Sequence, residues 1–156
     1  MSKDINYSIN IRWTGNKGNG TSGYRSYERS HEIFVTGKPP ITGSSDPSFR
    51  GDKTRYNPEK MLVGSLSACH MLWYLHLCAE AGVVVTDYTD KAQGFMVEDD
   101  VKGGWFIEVH LYPMVIVKEE NMIETAIGLR KKAHSLCFIA NLVNFPVNNS
   151  PTCVAG

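Results

Sequence analysis

Apolar and polar positions alternate from the start of the chain. Ile5, Tyr7, Ile9, Ile11 and Trp13 fall on one side of an extended segment, the period of a strand with one buried face. The run TGNKGNGTSG that follows is turn chemistry, and a second strand over about 24–35 completes a predicted hairpin. From Gly37 to Tyr56 the periodicity stops. That stretch, GKPPITGSSDPSFRGDKTRY, is rich in proline, glycine and serine, and its length predicts a loop that is either mobile or functional.

Asn57-Pro58-Glu59 is a helix start: a capping side chain, a proline where its missing N–H costs nothing, and a carboxylate favoured by the helix dipole. The helix is predicted to run to about Ala81, with Gly82 as its stop. Met61, Leu62, Val63, Leu66, Leu72, Trp73, Leu75 and Leu77 fall on several of its sides, which predicts a helix surrounded by protein. Two strand-like segments follow, about 83–97 and 105–117, separated by the polar turn EDDVKGG. Met122, Ile123, Ala126, Ile127 and Leu129 then mark an amphipathic helix over about 119–132. HSLCFIANLV reads as a second short helix, and a last strand is expected beyond Asn144.

Composition narrows the classes of function. Lysine plus arginine balance aspartate plus glutamate at sixteen each, so no charge excess draws the chain to nucleic acid or an anionic membrane. The segment MSKDINYSIN lacks the apolar run of a secretory signal, and no stretch of eighteen apolar residues occurs. A cytoplasmic protein of one domain, 1–156, is the expectation. The glycines near the first turn fit no dinucleotide or P-loop pattern, and Arg-Gly-Asp at 50–52 is read as a chance match to an adhesion motif.

The four cysteines are too few and too irregularly spaced for a disulfide scaffold. Cys78 follows Cys69 by nine residues on one helix and so points roughly 180° away from it, at about 100° per residue. Cys153, in SPTCVAG, has no charged neighbours and reads as a passive thiol. Cys137 is expected near a helix start, where free N–H groups favour a thiolate. Cys69 reads either as a small buried hydrophobe or as a reactive thiol. The second reading draws on the carboxylate at the start of its helix, Arg50 and Arg55 in the preceding loop, and the distant Cys137.

NPEKMLVGSLSACHMLWYLHLCAEAG followed by a distant AHSLCFIAN resembles the OsmC/Ohr family, the osmotically inducible protein C and organic hydroperoxide resistance proteins. The match rests on Asn-Pro-Glu at a helix start, a cysteine ten residues after the glutamate, and a second cysteine in a later helix. The resemblance implies an α+β fold, with antiparallel sheets wrapped around a long central helix, and an intertwined homodimer. It implies Cys69 as the peroxidatic thiol, Cys137 as the thiol that resolves its sulfenic acid, and Glu59 as the carboxylate that holds an arginine near the thiolate. Arg50 is the preferred arginine and Arg29 the next, with Arg25 a further alternative. The substrate implied is an organic hydroperoxide, and Leu66, Leu72 and Trp73 around Cys69 suit an apolar one. No cofactor is implied; the reductant is an external dithiol, with a dihydrolipoyl group on a partner protein as the form the family points to.

Elementary chemistry agrees with those roles, because a thiolate attacks the outer peroxide oxygen and a second thiol condenses with the sulfenic acid before further oxidation. Glu59 and Cys69, ten residues apart, are separated by about 15 Å along one helix, so an arginine or a second subunit is needed to bring both to one substrate. His70 and His134 depart from the pattern. His70 is expected as a hydrogen-bonded core histidine, and a zinc site of Cys69, His70, Cys137 and His134 is a sharper alternative with poor ligand spacing. A hydrolase lacks a nucleophile turn, since Cys69 is mid-helix. A thiol redox sensor and a small-molecule binding protein on the same fold are the non-catalytic rivals.

Overall fold

The computed structural model of the chain describes residues 2–156. In order, these form β1 (Asn10–Trp13), β2 (His31–Phe34), β3 (Ile41–Gly43), α1 (Pro58–Glu80), β4 (Val85–Asp90), β5 (Gln93–Asp99), β6 (Gly103–Leu111), β7 (Pro113–Val117), α2 (Ile123–Leu136), β8 (Val147–Asn149) and β9 (Thr152–Ala155). They divide into two compact units, one ending at Met61 and the other spanning Leu62–Gly156.

In the first unit β1, β2 and β3 make an antiparallel meander with Ile11 opposite Ile33 and Ile33 opposite Ile41. The predicted hairpin forms, but β1 begins only at Asn10, and the face expected to be buried is open. Ile5, Tyr7, Ile9 and Ile11 are 59%, 84%, 61% and 69% exposed. Alternation records that one side needs cover; it does not say what supplies it.

The segment predicted as a loop contains β3 and a single 3-10 turn at Pro47–Phe49, and side chains knit it together. Asp46 Oδ1 accepts from the Ser48 N–H at 2.9 Å and its hydroxyl at 2.6 Å, while Oδ2 accepts from Asn57 Nδ2 at 3.1 Å. Gly51 is required there, because a Cβ would sit 1.6 Å from the Ser45 carbonyl oxygen. The ends of α1 follow the sequence signals. Asn57 Oδ1 accepts the Lys60 N–H at 2.8 Å. At the other end Gly82 (φ +72°) lets the Val83 N–H reach the Cys78 carbonyl at 2.8 Å and its own N–H reach Ala79 at 3.2 Å.

In the second unit α1 buries the stripe Leu66, His70, Tyr74, Leu77 and Cys78. By length and composition α1 could cross a bilayer, yet this stripe is core. Tyr74, Leu77 and Cys78 pack with Val83, Val115, Val117, Ala126 and Ala133, and Leu66 packs with Val109 and Leu111. The expectation of a helix enclosed on every side is corrected: Leu72 is 62% exposed.

Each strand-like segment read from the sequence is two strands in two sheets. β4 and β7 pair in one sheet and β5 and β6 in the other, with breaks at Lys91–Ala92 and Tyr112. Pro113, which has no N–H for a ladder, opens β7 and is the visible signal for the second break. Asp90 holds the crossing in place: Oδ1 accepts the Tyr112 N–H at 2.7 Å and Oδ2 the Ser67 hydroxyl of α1 at 2.5 Å. Each antiparallel pair gains a third strand in parallel, β9 beside β7 and β8 beside β6. The sheets of this unit are therefore mixed. The fold is α+β, as the resemblance implied.

The C-terminal helices also differ from expectation. His134 and Leu136 continue α2, and Cys137 is its C-cap with extended backbone (φ −69°, ψ 107°). A single 3-10 turn follows at Ala140–Leu142. Cys137 thus ends a helix instead of starting one, because the apolar run that looked like a new helix is the docking segment after α2.

Candidate functional site

α1 presents Cys69 on a side adjoining its buried stripe, half-buried and one turn beyond Leu66. The end of α2 brings Cys137, which is 1% exposed, near enough to Cys69 for the two thiols to act on one another. Both thiols are free. Docking of the α2 terminus on α1 is reinforced next to the pair, where the Phe138 ring meets Trp73 edge-on with centroids 5.5 Å apart. Burial pushes the Cys137 thiol up to about 11, and the nearby Cys69 adds to this, while the Ala140 and Ile139 N–H groups oppose it. The Ala140 N–H lies 3.5 Å from the Cys137 sulfur. The N–H donors expected around Cys137 are thus present, supplied by the turn after it.

Cys69, Leu72, Trp73 and His76 share one face of α1 by the i, i+3, i+4, i+7 rule. Leu72, Trp73 and His76 line an open, mostly apolar groove of about 270 Å³ there. Apolar walls on the helix face that also carries Cys69 suit a small molecule with a hydrocarbon body.

Directly after Cys69, His70 is 2% exposed. Its Nε2 lies 2.8 Å from Asn149 Nδ2. It is the hydrogen-bonded core histidine expected. Burial, aided by His134 and opposed by Asp90, lowers its pKa to about 4, so the ring is neutral at pH 7. Among the described residues no three His, Cys, Asp or Glu side chains gather as metal ligands. Cys78 is buried in the core beside Tyr74, and burial raises its thiol.

The other residues named from the sequence belong to the first unit. Glu59 is in the first turn of α1, and its Oε2 is buried with no hydrogen-bond partner. Arg50 is exposed, holds a left-handed backbone (φ +63°), and ends the 3-10 turn that Asp46 caps. Arg29 is engaged elsewhere: Nη1 and Nη2 each donate at 2.8 Å to the Tyr27 and Tyr24 carbonyls, and the guanidinium stacks on both tyrosine rings. Both arginines act on Glu28, whose carboxyl is held below the usual range first by its hydrogen bond with Lys17. Among the described residues neither is ion-paired with Glu59. The structure therefore brings Cys69 and Cys137 together and leaves the expected Glu59–arginine pair unmade within the unit. Asn149, Asp90 and Phe138 were not legible beforehand, since nothing in their spacing ties them to Cys69.

The OsmC-like protein family model matches residues 51–150, the stretch that carries α1, both thiols and the strands β4 to β8. The chain belongs to the OsmC family. Among solved structures this OsmC member is similar to an OsmC-like protein of unknown function from Vibrio cholerae O1 biovar eltor, at 25% identity and TM-score 0.85, covering 96% of this chain and 100% of that one. An organic hydroperoxide resistance protein from Elizabethkingia anophelis shares the fold at 19% identity and TM-score 0.67, covering 99% and 100%. One from Legionella pneumophila does so at 17% identity and TM-score 0.66, covering 96% and 98%. No curated protein matches the sequence.

Proposed function

We propose that this OsmC member is a thiol-dependent peroxidase that reduces organic hydroperoxides. The observation that carries the reading is the nearness of Cys69 and Cys137, a half-buried thiol and a buried one on separate elements that act on one another. In the reaction Cys69, as thiolate, attacks the outer oxygen of the hydroperoxide. The O–O bond breaks, the alcohol leaves after taking up a proton, and Cys69 becomes a sulfenic acid. The Cys137 thiol then attacks that sulfur, giving a disulfide and water. An external dithiol, such as a dihydrolipoyl group on a partner protein, returns both thiols. The raised pKa of Cys137 keeps it protonated while Cys69 reacts. The apolar groove at Leu72, Trp73 and His76 favours an organic substituent over hydrogen peroxide. Relatives named organic hydroperoxide resistance proteins support the same reading.

Glu59 orients an arginine in this scheme, Arg50 before Arg29, and its unpartnered buried oxygen supports a missing cation. A homodimer completes the assembly, with the open apolar side of Ile5, Tyr7, Ile9 and Ile11 as the surface a second copy covers. The test is to add one equivalent of cumene hydroperoxide to the reduced protein, count the thiols left and map any disulfide by peptide mass, with hydrogen peroxide in parallel. Rapid loss of two thiols and a Cys69–Cys137 bridge, faster with the organic peroxide, is the expected result. Survival of all four thiols discards the peroxidase; a bridge that forms once and is not reduced by any dithiol favours a redox sensor.

A further inference from the structure

The sheet of β5, β6 and β8 carries a polar cluster that the thiol chemistry does not use. Along β6, Val109 and Leu111 turn inward to the core, so Glu108 and His110 share the opposite face. Parallel pairing sets Asn148 of β8 directly beside His110. Three side-chain atoms meet there. His110 Nε2 lies 2.9 Å from Glu108 Oε2 and 2.9 Å from Asn148 Nδ2, and Asn148 Nδ2 lies 3.2 Å from Glu108 Oε2. On the other side of the ring, His110 Nδ1 is 3.1 Å from the Tyr112 hydroxyl, and Phe95 packs against the imidazole with ring centroids 5.5 Å apart.

Hydrogen bonds alone do not satisfy this triangle. An ionised carboxylate only accepts and an amide nitrogen only donates, whereas Nε2 carries either a hydrogen or a lone pair. With the hydrogen on Nε2, the ring donates to Glu108 but confronts a second donor in Asn148. With the lone pair there, Nε2 accepts from Asn148 but confronts the carboxylate oxygen at 2.9 Å. Turning the amide over puts Oδ1 in the place of Nδ2, and two acceptors then face each other at 3.2 Å. A water above the triangle leaves each of these mismatches as it is. A cation removes them, because with the amide turned it takes a lone pair from one imidazole nitrogen and two oxygens at once. Donors held at about 2.1 Å from a metal stand about 3.0–3.4 Å from one another in octahedral or tetrahedral geometry, close to the three separations found. Nδ1 then carries the hydrogen and donates to the Tyr112 hydroxyl, the outer partner that a metal-bound imidazole ordinarily has. We infer that Glu108, His110 and Asn148 form a binding site for one divalent transition-metal ion of the zinc or nickel kind, with its remaining positions open to solvent.

Zinc is the probe, added to the full chain with its thiols reduced. Crystals soaked in zinc are expected to show an anomalous peak in contact with His110 Nε2, Glu108 Oε2 and Asn148 Oδ1. A peak on His110 without the other two, or none at that place, overturns the proposal. In solution, long-range proton–nitrogen correlation of His110 is expected to show Nε2 shifting as zinc is added, with Nδ1 protonated, and to revert with a chelator. Zinc taken up by the thiols leaves that signal where it was. Losing the outer partner of a ligand costs about 10–100-fold in metal affinity, so losing a ligand, in Glu108→Gln or Asn148→Ala, is expected to weaken the affinity read at His110 by about tenfold or more. A His110 response that both variants leave unchanged also overturns the site. All three side chains are on an exposed or half-buried face, so the variants are expected to fold, which circular dichroism checks; the wild-type crystal decides the matter if they do not.

Discussion

The thiol of Cys69, in the middle of a 23-residue helix, lies near enough to that of Cys137, at the end of a different helix, to raise its pKa. They are separated by 68 positions (137 minus 69), so only folding brings them together. Helix α1 holds one sulfur rigidly, and the Trp73–Phe138 contact keeps the other from drifting away.

Removing either sulfur separates their roles. Cys69→Ser is expected to abolish hydroperoxide consumption. Cys137→Ser is expected to consume one equivalent and stop, leaving a sulfenic acid on Cys69 that dimedone traps and mass spectrometry reads as a single adduct. An adduct on Cys137 in Cys69→Ser would reverse the assignment.

His70 makes stability depend on acid in a defined window. Its pKa falls from 6.5 to about 4 in the folded chain, so between those values the unfolded state binds the extra proton. Stability is therefore full above the unfolded value and declines as pH drops from 6.5 toward 4, by about 3 kcal/mol over the whole window. Urea unfolding at pH 7, 5.5 and 4.5 is expected to show this decline in the wild type and a shallower one in His70→Asn. Parallel slopes in the two proteins would mean another group carries the effect.

The arginines are expected to fail differently. Arg29→Ala loses two hydrogen bonds to carbonyls and stacking on Tyr24 and Tyr27, which is worth about 1–2 kcal/mol, seen as a lower urea midpoint. Arg50→Ala removes an exposed side chain, so stability should hold while kcat/KM for cumene hydroperoxide falls. If Arg29→Ala alone slows turnover at unchanged stability, Arg29 and not Arg50 is the arginine that serves the thiolate.

A charge on the open face tests the assembly. Ile11→Asp places a carboxylate on a residue that is 69% exposed within the chain, so it should not unfold an isolated copy. Light scattering is expected to give twice the chain mass for the wild type and a single chain mass for the variant. A wild-type monomer would remove the dimer from the scheme.

Core packing supplies the control. Leu66 is fully buried one turn before Cys69. Leu66→Ala should cost about 3 kcal/mol in stability while the folded fraction still loses two thiols per hydroperoxide equivalent.

Much of this site could be read from residue order, because its signals are local. Asn57 as a cap, Gly82 as a stop and the apolar content between them specify α1 within one or two turns of chain, and the spacing of Cys69 from Glu59 travels with that helix. The alternation from Ile5 to Trp13 likewise announced a strand. What local pattern could not supply was partnership. No periodicity distinguishes one long strand from two that cross between sheets, so Asp90 and Tyr112 became visible only once their 2.7 Å bond closed the corner. Cys137 looked like a helix start because an apolar run is the same whether it begins a helix or docks after one. The sequence by itself determined α1, the place of Cys69 upon it and the family to which the chain belongs. Only the tertiary structure decided that Cys137 comes near Cys69, that Arg29 is held by tyrosines, and that Asn148 meets Glu108 and His110. The reason is that capping and periodicity act over a few residues, whereas these meetings are set by packing between elements distant in the chain.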